Sequence, residues 1–214
     1  LLLLAACPSN AQFGIRIGGG ASDIIFLQGG QASYLSYDNN FVEHNFPAFS
    51  YQLGAFGEFE LGNRLALNSG LLFSKQVLDY SYSYLYDDIK YRLHISYLKL
   101  PVLFKLKTNL QKGKDSGILA GPYISGRINA TMVTEIQGIT ERNNKDNVNF
   151  IDMGMIAGYS WGLGKDPCKM RLDVRCSYSL INMMDPVDGI PRYYGPDKEY
   201  VRNMTIVLAL EYLL

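Results

Sequence analysis

The sequence predicts an all-β protein, an eight-stranded antiparallel up-and-down transmembrane β-barrel. Three observations predict it. Apolar and polar residues alternate with a period of two in eight segments. The connections between these segments are alternately short and long, as in barrels that cross an outer membrane. No segment after the N-terminal leucines approaches the roughly 20 apolar residues that a transmembrane helix requires.

Each of the eight segments sets apolar side chains opposite small, polar or charged ones. In chain order, the first four apolar sets are Phe13, Ile15 and Ile17; Phe49, Tyr51, Leu53, Ala55, Phe59 and Leu61; Leu65, Leu67, Leu71 and Phe73; and Leu98, Leu100, Val102, Phe104 and Leu106. The last four are Ile118, Ala120, Pro122, Ile124 and Ile128; Ile151, Met153, Met155, Ala157, Tyr159 and Trp161; Leu172, Val174, Cys176, Tyr178 and Leu180; and Met204, Ile206, Leu208, Leu210, Tyr212 and Leu214. Pro101 and Pro122 each remove a backbone donor, so we expect bulges or weakened pairing beside them.

The connections indicate which ends of the strands lie together. Short ones follow segments two, four and six, at Gly62-Asn63, about Thr108–Ser116 and about Lys165–Lys169. Long ones follow segments one, three, five and seven, for example Gly19–Pro47 and Asn182–Glu199. Short periplasmic turns and long external loops are typical of outer-membrane barrels. An even number of strands then places both termini on the periplasmic side.

The polar face carries charges of both signs, which in a narrow barrel would meet in the lumen and pair. The predicted lumen charge network is Arg16, Glu58, Glu60, Lys99, Lys105, Arg127, Asp152, Arg171, Asp173, Arg175 and Glu211. A soluble β-sandwich would produce the same alternation, with the apolar set hidden between its sheets and the charges in water. The pattern alone leaves both architectures open.

The N-terminus and the composition favour an exported membrane protein. "LLLLAACPSNAQ" is typical of the end of a secretory signal peptide, so residues 1–11 are predicted to be removed and residues 12–214 to form one barrel domain. Lipidation at Cys7 is the alternative. The chain has 16 Tyr and 21 Gly, a composition that suits β-strands and membrane interfaces. Lys+Arg and Asp+Glu are both 20, so a nucleic-acid partner has no electrostatic support.

The sequence offers few candidates for chemistry. It contains no CxxC or Cys/His metal spacing, so neither a metal nor a cofactor is expected. His94 and Ser96 share one face of a strand, in a spacing that resembles the pair in lipid A deacylases. An acyl hydrolase would also need an orienting acid, for which Asp87 or Asp88 is the candidate. We expect no enzymatic activity, and keep acyl hydrolysis at His94 and Ser96 as an alternative.

Several motifs, in order, resemble the PorT-type outer-membrane β-barrel proteins of Bacteroidetes. They are "FGIRIGGGAS" (Phe13–Ser22), "LLFSKQ" (Leu71–Gln76), "YLKLPVLFKLK" (Tyr97–Lys107), "GILAGPYISG" (Gly117–Gly126), "IDMGMIAGYSWGL" (Ile151–Leu163) and "RLDVRCSYSLINM" (Arg171–Met183). The resemblance implies an eight-stranded outer-membrane meander barrel of the OmpA/OmpX-like architecture, in a family in which some members serve secretion or gliding machinery. The C-terminal "LALEYLL" departs from the terminal Phe or Trp of many barrel-assembly signals, but its apolar alternation is intact.

These expectations define a function without catalysis. Eight strands leave an interior that side chains fill, so the long external loops are expected to act by binding a partner or surface. The expected partners are outer-membrane lipid and lipopolysaccharide, the barrel-assembly machinery and a protein of the cell envelope. A narrow porin or channel remains a further alternative, which requires a water path past the lumen charges.

Overall fold

The computed structural model describes residues 11–28, 31–32, 41–84, 87–108, 115–136, 138–144, 148–163, 169–182 and 200–214. Ten β-strands follow one another along these ranges. They are β1 (Ala11–Gln28), β2 (Gln31–Ala32), β3 (Phe41–Glu60), β4 (Leu65–Tyr84), β5 (Asp87–Lys107), β6 (Gly117–Ile136), β7 (Ile139–Asn144), β8 (Ile151–Leu163), β9 (Met170–Ser179) and β10 (Tyr200–Leu213). The predicted lipidation site, Cys7, lies outside the described residues. The predicted cleavage site, Ala11-Gln12, lies at the start of β1.

Eight of the strands close into an antiparallel barrel, as predicted. Their order around the barrel is β1, β3, β4, β5, β6, β8, β9 and β10, and β10 pairs with β1 to complete the circle. A path of paired residues that leaves β1 at Ala11 and crosses every strand returns to β1 at Ala21, ten residues further along. Eight strands with this stagger tilt by about 40° from the barrel axis.

The two faces of the barrel wall have opposite character. Large apolar side chains are exposed on the outside, among them Ile17, Phe49, Leu53, Leu71, Leu100, Phe104, Ile124, Met155, Ile206 and Leu208. We call this belt the apolar band. The charged and polar side chains of the alternating positions are buried inside, so the predicted faces are confirmed and the soluble sandwich is excluded. Among the described residues no helix has the length and apolarity to span a membrane.

The strands are longer than predicted, so β-strand is found where part of the long loops was expected. β3, β4 and β6 have 20 residues and β5 has 21, whereas β9 has 10. The connection after segment three was predicted to be long, and this is wrong, because the ladder between β4 and β5 continues to Tyr84–Asp87. Likewise Gly19–Pro47 is largely strand. Because β10 ends beside Ala11, we name that end of the barrel the terminal end and the opposite one the extended end.

The two prolines lie beside each other and weaken one seam without shifting its register. The β5–β6 ladder is interrupted between the pairs Pro101–Tyr123 and Phe104–Ala120, where Pro122 also stands. The register shift is elsewhere, next to Ser96 and Tyr97 on β5. There β6 carries an extra residue, so the predicted alternation through Ile128 changes phase at that point.

Glycine on one strand makes room for a large inward side chain on the next. The ring of Tyr123 crosses Gly154, where an added Cβ would lie 2.6 Å from Tyr123 Cε1. Phe56 stands between Gly14 and Gly70 in the same way, since each would place a Cβ within 2.8 Å of its atoms. Alternating small and large residues thus fill the interior of this narrow barrel.

Candidate functional site

The lumen, the space enclosed by the eight barrel strands, holds a central cluster of four charged side chains. Arg16 Nη1 donates hydrogen bonds to Asp173 Oδ2 and Glu211 Oε1, both at 2.9 Å. Arg175 Nη2 donates to the same two oxygen atoms, at 2.5 and 2.7 Å. The four residues come from β1, β9 and β10. They pair two cations with two carboxylates across the seam that closes the barrel.

A second cluster fills the lumen toward the terminal end. Lys105 Nζ lies 3.3 Å from Glu58 Oε1, and Arg171 Nη1 lies 2.5 Å from Glu58 Oε2. Asp115, in the connection after β5, bonds to both cations and is 2.8 Å from Lys105 Nζ. Burial raises the pKa of Asp115, but Lys105 and Arg171 outweigh it, and the net pKa is below its ordinary value. Glu60, predicted for the network, pairs with Lys107 at 2.5 Å nearer the opening.

Lys99, Asp152 and Arg127 lie closer to the extended end. Lys99 is fully buried, with Nζ 4.2 Å from the centre of the Tyr123 ring. Asp152 Oδ2 accepts a hydrogen bond from Tyr123 Oη at 3.0 Å, and Oδ1 accepts one from Ser179 at 2.5 Å. Arg127 is half-buried at the bulge of β6, where its backbone amide donates to Phe150. The structure therefore divides the eleven predicted residues into separate groups rather than one network.

A chain of uncharged polar side chains crosses the lumen beyond these groups. Ser22 Oγ is 2.5 Å from Ser50 Oγ and 2.9 Å from Thr205 Oγ1. Gln76 Nε2 donates to Thr205 Oγ1 at 3.0 Å, and Asn203 donates to Gln76. Sequence reasoning did not single out these residues, although they lie at the polar positions of their strands. The chain links β4 with β10 and β1 across the barrel.

Two apolar clusters inside the lumen were not predicted. One, near the extended end, consists of Leu78, Leu93, Ile95, Tyr97, Ala130, Met132 and Val148. The other consists of Leu103, Leu119, Tyr123 and Ile156. A signal was present for the second, since Leu103 stands between Pro101 and Lys105 on the face predicted to point inward. Together with the ion pairs, these clusters occupy the interior with side chains.

His94 and Ser96 lie on the outer face of β5 and lack the surroundings of a catalytic pair. Asp87 and Asp88, the predicted orienting acids, stand six or seven residues away on the same continuous strand. At the rise of a β-strand that separation is about 20 Å, so neither can orient His94 and that assignment is wrong. Burial lowers the pKa of His94, and Lys75, Arg92 and Arg142 lower it further.

The described residues present no group of three or more His, Cys, Asp or Glu side chains that could hold a metal ion. Cys176 is a free thiol on the outer face of β9. Cys168, which the sequence places in a turn, lies outside the described residues.

Comparison with known proteins identifies relatives of this fold. Residues 7–185 match the family described as "Outer membrane protein beta-barrel domain". Among solved structures, the attachment invasion locus protein Ail of Yersinia pestis is similar, with 14% identity over 96% of this chain and 99% of that chain and a TM-score of 0.43. Neisserial surface protein A is 12% identical over 95% and 99%, with a TM-score of 0.44. OprG of Pseudomonas aeruginosa is 11% identical over 95% and 96%, with a TM-score of 0.39. No curated protein matches the chain.

Proposed function

Because the chain belongs to the outer membrane protein beta-barrel domain family, we propose that it is an outer-membrane protein without enzymatic activity, closed to solutes, that acts by binding a partner at its extended end. Both termini then face the periplasm, and the extended end faces outward.

The filled lumen is the observation that carries this proposal. Arg16, Lys105 and Arg171 are at most 1% exposed, although each would be solvated in a water-filled pore. Their carboxylate partners neutralise them at hydrogen-bond distance. Moving any of these charges to open a path would leave its partner buried and unpaired, which costs several kcal/mol. A continuous water channel is therefore disfavoured.

The length of the strands at the extended end supports a role in binding. The strands β3, β4, β5 and β6 each have about twice the 9–11 residues that a tilted strand needs to cross a bilayer. The remaining length stands beyond the apolar band as paired sheet. A rigid sheet loses little conformational entropy when it binds. The resemblance to PorT-type proteins favours a cell-envelope partner in secretion or gliding machinery, with lipopolysaccharide and the barrel-assembly machinery as further contacts.

Planar-bilayer recording tests the closed lumen. The full chain, refolded and inserted into a bilayer, is expected to give no discrete conductance steps. A refolded general porin inserted under the same conditions is the positive control. Regular steps that persist at high salt would overturn the closed-lumen proposal and favour the channel alternative.

Co-purification from intact outer membranes tests the binding role. In the test variant Asn-Gly replaces residues 80–91, which shortens the β4–β5 hairpin while the paired Asp79 and Arg92 remain at its new end. In the control variant a Gly-Ser linker of equal length replaces residues 109–114 at the terminal end. Partners captured by the native chain and the control, but lost from the shortened hairpin, would support the proposal. Equal capture by all three would contradict it.

A further inference from the structure

Basic side chains gather on the outer face of β4, β5 and β7, immediately beyond the apolar band on the extended side. Phe73 and Leu98 form the last outward apolar pair between β4 and β5. The next outward pair is Lys75 with Ser96, and His94 follows on β5. Val77 stands opposite His94 on the same face, so the outer surface changes from continuously apolar to mixed basic and apolar within one pair of residues.

The sheet register places these side chains around His94. Lys75 is a diagonal neighbour of His94 across the β4–β5 pair, at about 7–8 Å. Arg92 and Arg142 both pair with Val133, on its two sides, so they stand in one row across β5, β6 and β7. The charges of Lys75, Arg92 and Arg142, and the opposite charge of Asp79, all act on the His94 imidazole. We call Lys75, His94 and Arg142 the rim patch.

Two of the cations near His94 make no ion pair with any described carboxylate. Asp79 holds Arg92 through two hydrogen bonds of 2.7 and 2.8 Å, which fixes that side chain and cancels its charge. Within the described ranges Lys75 and Arg142 have no carboxylate partner. Nδ1 of His94 is buried and makes no hydrogen bond to any described atom. Two exposed acids lie nearby: Glu135 stands opposite Lys90, and Glu141 precedes Arg142 and pairs with Thr134.

We propose that the rim patch binds the phosphate group of a membrane lipid headgroup. Lys75 and Arg142 lie on opposite sides of His94 and would supply the charge by extending toward a phosphate between them, and His94 would donate through Nε2 because its Nδ1 is buried. The position at the edge of the apolar band favours a lipid over a protein, since headgroup phosphates lie just outside the hydrocarbon layer. The inference rests on the proposed membrane location and names one lipid contact within it.

Lipid titration of the full chain in uncharged octyl glucoside micelles tests the patch, with bound lipid counted by native mass spectrometry. The probes are phosphatidic acid and a diacylglycerol with the same acyl chains but no phosphate. We expect the native chain to prefer phosphatidic acid by about tenfold. Lys75→Gln/Arg142→Gln is expected to remove most of that preference.

Arg64→Gln/Lys169→Gln is the matched control, because it removes the same two charges from exposed positions at the terminal end. This variant is expected to stay within about twofold of the native affinity. If both double variants lose the same amount of phosphatidic acid affinity, the net charge of the protein explains the effect and the proposal is overturned. Displacement of the lipid by an equal concentration of inorganic phosphate would overturn it as well, in favour of a free-anion site.

Folding is checked by the mobility of unheated samples in SDS gels. If the double variant does not fold, Lys75→Gln and Arg142→Gln separately are expected to weaken phosphatidic acid binding about threefold each, and unchanged affinity in both would refute the patch. If the native chain gives no conductance steps and also shows no preference for phosphatidic acid, the rim patch alone is refuted and the proposed function stands.

Discussion

Arg16 and Glu211 face each other as a cross-strand pair, and Arg16 Nη1 donates to Glu211 Oε1 at 2.9 Å. They belong to the first and last barrel strands, so this bond ties the closing seam from inside. Its position explains why the charges of a narrow lumen contribute to closure as well as to filling.

Arg16→Met should destabilise the barrel by about 3–5 kcal/mol, because two buried carboxylates would then share only Arg175. Arg16→Met/Glu211→Met removes one charge of each sign and should recover at least half of the loss. Urea unfolding in lipid vesicles compares these two variants with Glu211→Met alone. A double variant no more stable than the sum of the single changes would show that the two residues are not coupled.

Acid should lower the stability of the native protein more than that of the Asp115→Asn variant. The pKa of Asp115 is lower in the folded protein than its ordinary value of 3.8, so its contribution to stability is present above that value and disappears as the pH falls below it. The free energy of unfolding of the native chain should therefore fall more steeply than that of Asp115→Asn as the pH drops below 3.8. Parallel curves for the two proteins would contradict this assignment.

Gly154→Ala should destabilise the barrel by about 1–3 kcal/mol, since its Cβ would meet the Tyr123 ring and the backbone oxygen of Tyr178. Displacing the ring would also break the hydrogen bond from Tyr123 to Asp152. Gly126→Ala on β6 is the control, because its Cβ would have no atom within 4 Å. Thermal unfolding in detergent compares them, and equal midpoints would refute the close packing.

Val102→Arg places a charge near the middle of the apolar band and should cost about 2–4 kcal/mol in a bilayer. Thr140→Arg, at an exposed position of β7 beyond the band, should change stability by less than about 0.5 kcal/mol. Refolding yield into vesicles of defined lipid gives the comparison. If Val102→Arg refolds as well as Thr140→Arg, the outer surface does not face lipid.

The sequence allowed the faces of the strands to be predicted because burial alternates with a period of two. Arg16 and Asp173 were both assigned to the inside, yet 157 residues separate them, and only closure of the barrel determines that they bond. The strand extensions were missed because their inward side chains are partly apolar, so the contrast between the two faces is lost there. Ile95 on β5 illustrates this: it is apolar, as an outward residue would be, but it lies in a buried cluster inside the barrel.

The pairing of β1 with β10 also constrains how the protein is made. The Leu214 amide donates to the Phe13 carbonyl oxygen, 201 positions earlier, so one edge of β1 has no partner until β10 has formed. Until then the unpaired edge of β1 and its exposed apolar side chains would be prone to aggregation. A chain that lacks β10 should therefore be degraded or aggregate rather than form a closed barrel.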